Sequence, residues 1–121
     1  MTLSLDTAQK IIDAALAKGH ELAIKPLTVA VLDAGGHLKA MAREDGTSTL
    51  RPGIAEGKAN GALALGIGSR AIFNRALEQP FFIQAMNGLA GGSLVPVPGG
   101  VLIRDDSGVI GAVGVTGDSS D

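Results

Sequence analysis

Apolar residues recur at helical spacing near the start of the chain, where Ala8, Ile11, Ile12, Ala15 and Leu16 fall at i, i+3 and i+4. This predicts an amphipathic helix over residues 5–20. Asp6 followed by Gln9 has the spacing of a capping box, Gly19 is placed to end the helix, and Pro26 stops any continuation. The pattern then shifts to short apolar runs. Residues 27–33 and 37–43 predict two strands joined by a two-residue turn, with Gly35 and Gly36 supplying positive φ and Asp33 bonding nearby amides. A polar loop over 43–48 leads to an Ala/Gly-rich helix from Arg51 to about Leu65, with Pro52 suited to its first turn. Gly57 and Gly61 each weaken that helix by about 1 kcal/mol relative to Ala. Their spacing places both on one face, where another element can approach the backbone closely.

A short helix over 69–77 and a looser, helical or irregular piece to Met86 precede a Gly/Pro-rich segment, residues 87–100. Strands at 101–104 and 109–116, joined by an Asp-Asp-Ser-Gly turn, complete the chain. The order predicts an α+β fold: one domain spanning 1–121, with a single antiparallel sheet of about five strands flanked by helices.

Composition narrows the function classes. The chain has 121 residues, no Cys, a net charge of −2 and only three aromatic residues, all Phe. Disulfides and thiolate chemistry are excluded. The absence of a Lys/Arg cluster and of stacking aromatics argues against nucleic-acid binding. No apolar run is long enough to span a membrane, and the first ten residues do not read as a secretory leader, so a cytoplasmic location is expected. Mean hydropathy of +0.31 with 18 Gly leaves much apolar surface for so short a chain. Self-association is the expected outlet.

Candidate chemistry is sparse, and no catalytic residue is assigned. His37 is a candidate iron ligand or acid/base group, or else a turn residue facing solvent. His20, near the end of the first helix, is a second candidate ligand, or a surface imidazole favoured by the helix dipole. Arg43 and Lys58 are candidate anion contacts, or else ordinary surface charges. The glycines of the 87–100 segment, Gly99 and Gly100 included, either cradle an anion with their amides or form an irregular crossover. Gly111, Gly114 and Gly117 do not follow the dinucleotide fingerprint and sit in a strand, where close backbone packing accounts for them. Asp105 and Asp106 lack the further ligands of a calcium loop and read as a turn.

Residues 29–38 (Val-Ala-Val-Leu-Asp-Ala-Gly-Gly-His-Leu), Arg43 with Asp45-Gly46, Lys58-Ala59, Pro98-Gly99-Gly100-Val101 and the glycine-spaced run 108–117 resemble the GlcG/HbpS-like haem-degrading family. That family includes the PduO C-terminal domain. The resemblance runs from the first helix to the last residue. It implies a sheet flanked by helices, homo-oligomers from dimer to octamer, and haem as a possible cofactor. The implied function is binding of haem or a related small ligand near a subunit boundary, with His37 on the metal and Arg43 or Lys58 on an anionic group. Its rivals are an enzyme or accessory subunit acting on a small hydroxy or aromatic carboxylic acid, and an assembly scaffold without a ligand. Two departures stand out. The chain stops where the family's final acidic helix is expected to begin, and Val101 occupies a position that carries a haem-contacting Thr in one branch.

Overall fold

The computed structural model describes residues 2–89, 95 and 99–117. Helix α1 (Leu5–Glu21) precedes strands β1 (Thr28–Asp33) and β2 (Leu38–Arg43). Helices α2 (Arg51–Leu65), α3 (Ser69–Glu78) and α4 (Pro80–Leu89) follow, then strands β3 (Gly100–Asp105) and β4 (Gly108–Thr116). The four described strands form one antiparallel sheet in the order β2-β1-β4-β3. Four strands replace the expected five. Ahead of β3, residues 90–94 and 96–98 lie outside the described residues, and α4 takes the start of the Gly/Pro-rich segment.

Both sheet faces are covered, which is why β1 is apolar at nearly every position rather than alternating. On one face Val29, Val31 and Ala40 pack with Ala8 and Ile12 of α1. On the other, Leu32, Leu102 and Ala112 pack with Ala59 and Ala62 of α2. A small separate cluster around Ile72 and Ile83 joins α3 to α4.

Two local expectations are corrected. Ser4, not the Asp6–Gln9 pair, caps α1: its side-chain oxygen accepts the Thr7 N–H at 3.1 Å. The β1–β2 connection is longer than two residues. Asp33 and His37 close it (Asp33 N–H to His37 O, 2.9 Å) around Ala34, Gly35 and Gly36, and only Gly36 has positive φ, +81°. This is a three-residue loop whose last position needs the left-handed conformation, so one glycine is conformationally required instead of two.

A backbone does approach Gly57, whose carbonyl accepts the Val95 N–H at 3.2 Å, and α2 meets β4 more closely still through Ala55 and Ala59. A Cβ at Gly114 would fall on the Ala55 carbonyl of α2 and within 3.1 Å of the Ala59 N. Helix α2 thus lies almost on the sheet backbone, with Ala55, Ala59 and Ala62 fully buried beneath it.

Candidate functional site

The expected site residues divide between the two ends of the sheet. His37 sits where β1 turns into β2, its side chain 83% exposed, at the rim of a depression of about 440 Å³. Leu3, Ala34 and Ile110 give that depression apolar wall, and Asp33, His37 and Lys39 give it polar groups. Asp33 is the organiser. Its Oδ1 accepts the N–H groups of Gly35 and His37, each at 3.0 Å, and lies 3.4 Å from His37 Nδ1. The His37 amide, more than any other contact, holds the Asp33 carboxyl below its usual range. An ionised carboxylate beside Nδ1 favours the tautomer protonated there, in which Nε2 carries the free lone pair. This is the donor arrangement of a metal-binding imidazole.

Lys58 and Gly99 meet at the opposite end. Lys58 is 3% exposed; its Nζ donates to the Val115 carbonyl at 3.1 Å and lies 3.0 Å from where a Gly99 Cβ would stand. Burial, and secondarily the charge of Arg51, push the Lys58 ammonium below its ordinary 10.5. Gly99, at φ +123°, accepts the Val115 N–H through its carbonyl at 2.9 Å. Gly100 opens β3 opposite Gly114 and is buried in the ladder. Val101 follows it, 58% exposed on the edge strand. Arg43 is exposed at the end of β2 and donates to the Thr47 carbonyl at 3.2 Å.

The two groups do not share a cleft within one chain. Thr28 marks the Lys58 end of β1 and Asp33 the His37 end, and six strand residues span about 17 Å. They also face opposite sides. The His37 depression includes Leu3, on the α1 side, whereas Lys58 belongs to α2.

His20 is engaged elsewhere. Its Nε2 lies 2.6 Å from Glu44 Oε2, while Glu44 Oε1 accepts the Leu27 N–H at 2.8 Å. The Leu27 amide, then His20, lowers the Glu44 carboxyl below 4.5. A depressed carboxyl stabilises the fold above its unfolded value and loses that contribution as pH falls through the folded one. The melting temperature of Glu44→Gln should therefore fall less steeply than that of the parent below about pH 4.5. Parallel curves would show that Glu44 contributes no acid-side stability.

Among the described residues there is no group of three His, Cys, Asp or Glu able to hold a bare metal ion, and no helix long and apolar enough to cross a membrane.

The sheet order and its helical covers match known proteins. The model of the family described as haem-degrading protein HbpS-like matches residues 3–121. The chain belongs to the HbpS-like family. Among solved structures, this HbpS-like chain superposes on the Klebsiella pneumoniae protein ORFY with a TM-score of 0.88 at 26% identity, covering 99% of this chain and 81% of that one. The PduOC:heme complex gives 0.86 at 23% identity, with 99% and 86% covered. A double mutant of Streptomyces reticuli HbpS gives 0.80 at 22% identity, with 97% and 75% covered. No curated protein is similar enough in sequence to count as a relative. At these identities the HbpS and PduOC likenesses establish the shared fold. The site must be argued from this chain's own residues.

Asp33, Lys39 and Arg51 are functional candidates that the sequence reading did not single out as such. Asp33 carried a signal, being the Asp of an Asp-x-Gly-Gly turn next to a His. Lys39 and Arg51 carried none, since each gains its meaning from neighbours distant in sequence.

Proposed function

We propose that this chain binds haem or a related tetrapyrrole through His37, at a boundary between copies of itself. The observation that carries the reading is the Asp33–His37 pair at the rim of a partly apolar depression. A carboxylate 3.4 Å from Nδ1 favours the tautomer protonated there, the one that leaves Nε2 to ligate iron. Lys39 supplies a cation for a propionate, and Leu3 and Ile110 supply apolar contact for the ring. Membership of a family described as haem-degrading supports the same ligand, and so does the haem held by PduOC. Bound haem would bring a redox-active, Lewis-acidic iron; the residues described here hold and orient it.

A depression open on one side covers only one face of a flat ligand, so a second copy is the natural cover for the other. Exposed apolar side chains support self-association: Leu50, Leu77, Phe81 and Leu89 are each more than two-thirds exposed. A cytoplasmic homo-oligomer is the setting this reading implies.

The test is a hemin titration followed by absorbance. The parent should give a saturable, stoichiometric Soret shift. His37→Ala should lose it, Asp33→Asn should bind roughly tenfold more weakly through loss of the orienting carboxylate, and His20→Ala should behave as the parent. A weak, unsaturable change equal in all four proteins would remove haem from this site.

A further inference from the structure

Arg43, Arg51 and Lys58 lie at one end of the sheet, in a chain whose net charge is −2. Arg43, Thr28 and Thr116 stand opposite one another on three adjacent strands, and directly paired residues share a sheet face. Arg51, in the first turn of α2, reaches this row, its Nη1 donating to Thr116 Oγ1 at 2.9 Å. Lys58 lies two turns further along the same helix, close enough for the Arg51 charge to act on it. No acidic residue occupies the first turn of α2, and the helix N-terminus adds its own partial positive charge.

Of the nearby carboxylates, Glu44 is committed elsewhere. Glu44 holds His20 and the Leu27 amide, and Asp45 lines a separate depression with His20 and Ile24. Among the described residues, Arg43, Arg51 and Lys58 have no carboxylate at ion-pair distance. The Arg51 charge disfavours the Lys58 ammonium, and an anion bound beside Arg51 near the helix N-terminus would relieve that repulsion.

Space for one exists. Beside Arg51 opens a cavity of about 240 Å³ walled by Lys25, Gly46, Thr47, Ser48, Arg51 and Gly117. Its described walls offer the Arg51 guanidinium, hydroxyls and backbone beside Pro26, with no aromatic ring, which suits a small polar ligand rather than a flat apolar one.

We propose that this cavity is an oxyanion site for the carboxylate or phosphate group of a small molecule, with the Arg51 guanidinium as its main contact and the Ser48 hydroxyl on its wall. Lys58 acts from behind, through its charge. The site is separated from the His37 depression by the length of β1 and the thickness of the sheet, so it does not depend on the haem reading.

Melting temperature of the full chain, titrated with sodium acetate or inorganic phosphate at constant ionic strength set by sodium chloride, tests this. A saturable rise with either probe is expected. Acetate alone would mark a carboxylate site, phosphate alone a phosphate site, and both a general oxyanion site. Arg51→Gln should raise the apparent Kd about tenfold or more. Arg51→Lys, which keeps the charge but not the planar fork, should fall between, and it serves if the Gln variant does not fold. His37→Ala should leave the response intact. A rise no larger than chloride produces, or one undiminished in both Arg51 variants, would overturn the proposal.

Discussion

Gly114→Val should destabilise the fold by about 3 kcal/mol or more, enough to remove much of the stability of a domain this size. Gly114 is buried in β4, between Ala30 of β1 and Gly100 of β3. The carbonyl of Ala55 and the amide nitrogen of Ala59, both backbone atoms of α2, occupy the space a Cβ would need. Backbone cannot rotate away as a flexible side chain can, so the helix must lift from the sheet. Lifting it opens voids around Ala59, Ala62 and Leu32, which are buried only because the approach is so close. Urea unfolding measures the loss directly. Gly53→Ala is the control: it lies in the same helix, a Cβ there meets nothing within 4 Å, and it should gain about 0.5 kcal/mol from reduced unfolded-state entropy. Equal effects at the two positions would refute the close contact between α2 and β4.

Lys58→Met should do the opposite of what loss of a hydrogen bond ordinarily does, raising stability at pH 7 by about 1–2 kcal/mol. Lys58 is buried with one carbonyl bond to Val115 and no carboxylate at ion-pair distance among the described residues. Desolvation of an ammonium outweighs one such bond. Methionine keeps the length of the stem and discards the charge. The pH dependence follows with a definite sign. Because the folded ammonium is held below 10.5, the unfolded chain binds more protons between the two values. Parent stability should therefore rise as pH climbs through the lowered value toward 10.5, and Lys58→Met should lack that rise. Urea midpoints from pH 7 to 10 would show it. A variant less stable than the parent at pH 7 would mean that the Val115 contact, not desolvation, dominates. A lysine retained at a cost to stability fits a role in attracting an anion better than a role in holding the fold.

Local pattern carried much of the architecture. The stripe of Ala8, Ile12 and Leu16 identified α1, and the Asp33–Gly36 turn identified the hairpin, because a helical stripe and a turn residue act over a few positions. The same locality explains the errors. A two-residue and a three-residue loop can share the letters Ala-Gly-Gly, and strand twist and cross-strand register decide between them. The piece to Met86 could be read as helical or irregular because Pro80 has poor helix propensity, and it is helical: α4 runs to Leu89, with Ile83 packed on Ile72 of α3.

The site was less legible than the fold. The resemblance set His37 with Arg43 or Lys58 around one ligand, and nothing in their spacing placed His37 and Lys58 at different ends of the sheet within one chain. Arg51 passed as the start of a helix.

The sequence alone determined the kinds of element and their order, the family, and the absence of thiol chemistry, since each depends on residue type and short-range period. Tertiary structure decided that Lys58 is buried, that Arg51 meets Thr116 across 65 positions, and that Lys58 meets Val115 across 57. Those meetings depend on how closely α2 lies on β4, which a glycine on a distant strand controls, and no local periodicity records that distance.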